Sequence, residues 1–152
     1  MNQATNEANK QNGDGWHSLY VSGVCAGPLM GIGMILVSPG GEVLPCCAFM
    51  GRGTLLSAHY ESLFQGLRTA LNRNVRRLTI YLDNAPMVKQ LRGECQIGAD
   101  HIWNLYRKAV DRLKEFEQYS LNLISPAENQ EARTLAAEAL DGRGSARRGR
   151  AA

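Results

Sequence analysis

Nowhere in the 152 residues do apolar side chains run on for the roughly 18 positions that a membrane span requires. The opening stretch MNQATNEANKQNGDG also lacks the apolar core of a signal peptide, so the sequence predicts a cytoplasmic protein without membrane contact. Cysteine is scarce as well. Cys25, Cys46, Cys47 and Cys95 stand at irregular spacing with no Cys-x-x-Cys pair, which favours reduced thiols over a disulfide framework or a zinc knuckle. Cys46 and Cys47 fall in one strand, where neighbouring side chains face opposite ways and do not readily share a metal. Nor is there a charge excess in the folded part. The formal charge is +3, but of 17 Lys and Arg residues Arg143, Arg147, Arg148 and Arg150 lie in the tail, leaving 13 against 14 acids. Attraction to phosphates would come mainly from that tail, helped by Arg73, Arg76 and Arg77 in RNVRR. Two readings of the tail stay open, a binding arm and a solubilising end.

What is present reads as one domain between two polar ends: a disordered leader over 1–14, a folded region over 15–142 and a basic disordered tail over 143–152. Three strands are expected near 16–24, 31–38 and 42–50, the last two joined by the turn Pro39-Gly40-Gly41. A helix over 57–72 follows. Then come the alternating RRLTIYLD as a strand and a short helix with Asn84 as N-cap, Pro86 in its first turn and Gly93 as its stop. The stripe Ile102, Leu105, Ala109, Leu113 and Phe116 predicts a helix over about 100–118. YSLNLIS is a further strand, and NQEARTLAAEAL a closing helix capped by Asn129. This order predicts a mixed sheet flanked by helices. Trp16 and Trp103 are expected in the core or between helices.

One residue is out of place. In LLSAHYESLFQGLRTAL, His59 shares a helical face with Leu63, Gly66, Leu67, Ala70 and Leu71, whereas Glu61, Gln65, Arg68 and Asn72 share the other. The imidazole therefore points inward.

SGVCAGPLMGIGMIL, AHYESLFQGL, IYLDNAPMVKQLRG, IWNLYRKAVDRL and SPAENQEARTLAAEAL, in that order, resemble successive pieces of the ribonuclease H domain over about residues 16–140. The resemblance implies a five-stranded mixed sheet, three antiparallel strands followed by parallel ones, with helices around it. It also implies cleavage of the RNA strand of RNA–DNA hybrids by two magnesium ions held by four carboxylates. At the positions of those four acids this chain has Ser22, His59, Asp83 and Arg133. Sliding the first helix by two residues would bring Glu61 into place. It would also rotate the helix by about 200° and expose Leu63, Leu67 and Ala70. The site total changes from about four negative charges to about zero, and at an effective dielectric near 20 each lost attraction matters by several kcal/mol.

The resemblance thus implies a degenerate active site, no two-metal magnesium centre and a chain that is more a pseudo-enzyme than an enzyme. His59 and Asp83 remain weak candidates for a single transition metal. The composition Ser22, His59, Asp83 is that of a hydrolytic triad, but those backbones belong to a metal site and lack an evident oxyanion hole. The expected arrangement is an Arg133–Asp83 pair with His59 hydrogen-bonded in the same pocket. Hybrid recognition is worn too. Thr54-Leu55-Leu56 stands where the family often has Thr-Asn-Asn, Gly27-Pro28 is a shortened loop, and the basic handle is absent from GECQIGAD.

Three functions follow as expectations. The first is a non-catalytic module binding RNA or RNA–DNA hybrids weakly through Arg73, Arg76, Arg77, Arg147, Arg148 and Arg150. The second is a protein-interaction or homodimerisation module using Leu55, Leu56 and the edge of the third strand. The third is residual metal-dependent hydrolysis.

Overall fold

The computed structural model describes residues 15–142, so the leader and the tail, with Arg147, Arg148 and Arg150, lie outside the described residues. The strands are β1 (Trp16–Ala26), β2 (Leu29–Val37), β3 (Val43–Arg52), β4 (Arg77–Leu82) and β5 (Gln118–Leu123). They form one sheet in the order β3-β2-β1-β4-β5. The first three pair antiparallel, whereas β4 runs parallel to both β1 and β5. This is the mixed sheet expected of the ribonuclease H fold, and its strands differ from the predicted bounds by at most two residues at their ends.

Helix α1 (Leu55–Asn72) starts two residues earlier than the sequence suggests. Thr54 is the N-cap: its hydroxyl accepts from the Ser57 N–H at 3.1 Å, and the Ser57 hydroxyl accepts from the Thr54 N–H at 2.8 Å. Ser57 is therefore the third residue of a reciprocal capping box rather than the start of the helix. Leu63 and Leu67 are wholly buried, and burial of side chains of this size stabilises by about 1.5–3 kcal/mol each. Gly23 sets how closely α1 can approach β1. A Cβ there would lie 2.6 Å from the Ala58 carbonyl carbon, so only glycine admits the helix at this height.

Asn84 caps α2 (Ala85–Leu91) as expected, accepting from the Met87 N–H at 2.9 Å. Helix α3 (Asp100–Leu113) is shorter than its apolar stripe. The chain must turn to enter β5, and Phe116 is buried from that turn, with its N–H bonded to the Leu113 carbonyl. Trp103 departs from expectation: it is 45 % exposed and stacks on Tyr106 of its own helix. Trp16 is half-buried.

Helix α4 (Gln130–Asp141) follows a 3₁₀ turn at Ala127–Asn129 and covers the opposite face of the sheet. It lies on Gly31 and Gly33 of β2, and a Cβ on Gly33 would come within 2.3 Å of the Ala132 carbonyl oxygen. The larger core lies on the α1 side of the sheet, from Leu19 and Val21 through Leu78, Ile80 and Leu82 to Ile102 and Leu113. All four cysteines are free thiols.

Candidate functional site

Parallel pairing brings Val21 beside Leu82, so the next residues, Ser22 in β1 and Asp83 after β4, meet at one end of the sheet. The Gly23 approach lowers α1 onto this end and delivers His59, while the Pro126 turn returns the chain with Asn129 and Arg133. The four positions picked out from the sequence thus line one open cavity of about 380 Å³, with Leu55 and Cys25 on its walls.

The Asp83 carboxylate is the hub. It accepts from the Ser22 hydroxyl at 3.0 Å to Oδ2 and 3.3 Å to Oδ1, and from Asn129 Nδ2 at 3.0 Å. Its side chain is only 2 % exposed, so these donors replace water. His59 Nδ1 lies 3.5 Å from Asp83 Oδ1, a contact at ion-pair range without hydrogen-bond geometry, and Nδ1 has no hydrogen-bond partner among the described residues. Burial pushes the imidazole below its ordinary value of 6.5; Asp83 opposes this, and Arg133 adds to it. His59 is therefore neutral at pH 7.

Two local expectations are corrected. Arg133 does not pair with Asp83: among the described residues the carboxylate meets Ser22, Asn129 and His59, and no ion pair includes Arg133. The two amide and hydroxyl donors already occupy the carboxylate, leaving the guanidinium half-buried at the cavity. His59 does not hydrogen-bond within the pocket through Nδ1 either, because Ser22 and Asn129 hold Asp83 toward the sheet. The order of contacts also departs from a hydrolytic triad. Ser22 donates to the carboxylate rather than to the imidazole, so His59 is not placed to take its proton as the histidine of such a triad would.

Asn129 is the residue that sequence reasoning misplaced. It makes no capping bond to α4; its amide donates to the Val21 carbonyl at 2.8 Å as well as to Asp83. The capping falls to Ser125 and Glu128, since the Ser125 N–H bonds to Glu128 Oε1 at 2.8 Å and the Glu128 N–H to Ser125 Oγ at 3.2 Å. The motif Ser-Pro-Ala-Glu carries that signal in the sequence and frees Asn129 for the site.

The predicted basic cluster is elsewhere. Arg77 opens the six-residue strand β4 and Asp83 follows its end, a separation of about 20 Å at 3.3 Å per residue. Arg76 and Arg77 each lie 3.2 Å from Glu117, while Arg73 has no acidic partner among the described residues. Of the proposed contact leucines, Leu55 is 49 % exposed at the cavity and Leu56 is half-buried. The edge of β3 exposes Val43, and Pro45 removes one donor from that strand.

A family model described as reverse transcriptase-like matches residues 21–139. Among solved structures, RNase H1 from the halophilic archaeon Halobacterium salinarum is 27 % identical with a TM-score of 0.80, covering 84 % of this chain and 98 % of its own. The N-terminal RNase H domain of a Mycobacterium tuberculosis protein is 23 % identical with a TM-score of 0.77, covering 82 % and 98 %. LC11-RNase H1, solved in complex with an RNA/DNA hybrid, is 21 % identical with a TM-score of 0.77, covering 85 % and 99 %. Comparison with curated protein sequences finds no match.

Proposed function

Because the chain belongs to the reverse transcriptase-like family and has the ribonuclease H fold, we propose that it is a non-catalytic nucleic-acid-binding module whose ancestral two-metal site has been converted into a metal-free polar network. The carrying observation is the commitment of Asp83. A magnesium pair needs several convergent oxygen anions. The cavity offers one carboxylate, already holding Ser22 and Asn129, together with a neutral imidazole and the Arg133 guanidinium. Among the described residues no group of three His, Cys, Asp or Glu side chains converges as a metal-binding cluster. The donor set does not fit two magnesium ions, and no hydrolytic step is derived through them.

Nucleic acid remains the favoured partner because a relative of the same fold is seen with an RNA/DNA hybrid. Here the contacts would be electrostatic and carry little sequence information. Arg147, Arg148 and Arg150 would supply most of them. Arg76 and Arg77 share Glu117, and so contribute less than their spacing suggests. A protein partner or a second copy at exposed Leu55 and Val43 is the other reading.

Two titrations separate these readings. Calorimetry with manganese should show no saturable binding at micromolar to millimolar metal. Anisotropy of a labelled hybrid should show weak binding that falls with salt and is largely lost when Arg147, Arg148 and Arg150 become serine. Tight stoichiometric manganese binding would overturn the metal-free reading. A dimer at micromolar concentration that ignores the hybrid would favour the protein-interaction reading.

A further inference from the structure

Away from the Asp83 site, the surface has a second recess for which the proposed function gives no role. Helix α1 chiefly covers β1 and β2, whereas β3 makes most of its helix contacts with α4 on the opposite face. The α1-side residues of β3 are consequently left half-buried: Leu44, Cys46 and Ala48. With Met34 of β2 they floor a groove of about 410 Å³ beneath the C-terminal half of α1. This volume falls within the roughly 300–1,000 Å³ usual for small-molecule sites. Thr69 and Arg73 stand on its helical wall.

The charge at this groove has one sign. Arg73 is the single charged residue of the lining, and among the described residues it forms no ion pair. Its guanidinium is near enough to act on the Cys46 thiol, whose pKa burial nevertheless raises overall. An apolar floor ending at one unpaired cation is complementary to an apolar body ending in one anion. None of Ser22, His59, Asp83 or Arg133 lines it.

We propose that this groove binds a small amphiphilic carboxylate, its aliphatic or aromatic part lying on Met34, Leu44, Cys46 and Ala48 and its carboxylate on Arg73. The thiol of Cys46 lies under the bound ligand and serves as a reporter of occupancy.

The probe is octanoate, titrated calorimetrically into the full chain with octanol as its neutral counterpart. One saturable site is expected for octanoate. Arg73→Gln should weaken octanoate by about tenfold or more and leave octanol within about twofold, because only the carboxylate contact is lost. Ala48→Phe should abolish both by filling the floor. Thr69→Phe, on the half-exposed wall, serves if that variant does not fold. In the unaltered chain, saturating octanoate should slow alkylation of Cys46, followed by peptide mass spectrometry, while Cys95 reacts as before. Absence of saturable heat, equal octanoate affinity in Arg73→Gln, or unprotected Cys46 would each overturn the proposal. A concentration-dependent dimer that Ala48→Phe disrupts and octanoate does not would do so too, by assigning the groove to a second copy.

Discussion

At the scale of single residues, Asp83 carries more of the structure than its neighbours do. Converting it to asparagine leaves one acceptor oxygen for the donors that the two carboxylate oxygens share, and replaces charge-assisted hydrogen bonds with neutral ones. Asp83→Asn should therefore cost about 1–3 kcal/mol in urea unfolding, the usual penalty for stranding buried polar groups. The cost arises from Asn129 and Ser22, since Arg133 is not the partner of Asp83. His59 makes a second prediction through pH. Its folded pKa lies below 6.5 because the ring is buried, so below that pH the unfolded chain binds more protons than the folded one. Stability is unaffected by this group above pH 6.5 and falls as pH drops through the unfolded value toward the lowered folded one. His17 shifts in the same direction, again first through burial. His59→Gln should consequently reduce, without abolishing, the loss of stability between pH 6.5 and 5 in urea titrations. An unchanged slope would mean that the imidazole does not titrate as its burial requires.

At the scale of elements, two approaches between backbones build the site. Gly23→Ala would drive a methyl into the Ala58 backbone, where 2.6 Å is available. It should destabilise by about 1–3 kcal/mol through overpacking. Gly98→Ala, which meets nothing within 4 Å, provides the comparison. The return turn makes a separable prediction. Ser125→Ala should cost about 1 kcal/mol as a lost cap, and Asn129→Ala should cost more, because it removes one donor from the buried Val21 carbonyl and one from the Asp83 carboxylate, which keeps Ser22.

These same elements show what could be read from the chain and why. The β4 strand, the Asn84 cap and the inward face of His59 are signalled by local patterns, and all three reappear in three dimensions, although Thr79 is buried along with its apolar neighbours. So does the meeting of Ser22, His59, Asp83 and Arg133 around one cavity, which depended on recognising the fold. The contacts within that cavity were not legible. Asn129 reaches Val21 across 108 positions of sequence, and a residue with an ordinary local role available gives no sign of a distant one. Similarly, opposite charges on Arg133 and Asp83 suggested a pair, but the neutral donors Ser22 and Asn129 are better placed for the carboxylate. The end of α3 was hidden for a related reason. Phe116 keeps the helical spacing while being buried by a turn.

At the scale of the whole molecule, the sheet separates the cavity from the basic turn. The cavity stands beyond the end of β4, and the RNVRR turn stands at its beginning with Glu117 between its arginines. A duplex engaging both would have to span the length of the sheet, so the proposed binding rests chiefly on Arg147, Arg148 and Arg150 and weakens steeply with salt. Among the described residues no helix is long and apolar enough to cross a membrane.

The central proposal is that the fold has outlived its two-metal chemistry. Its most direct test is incubation of the full chain with a 5′-labelled RNA–DNA hybrid, separately in magnesium and in manganese, with Asp83→Asn as the matched control. The account predicts no cleavage above the metal-only background in either ion, and no difference between the two proteins. Metal-dependent cleavage of the RNA strand that disappears in Asp83→Asn would contradict it.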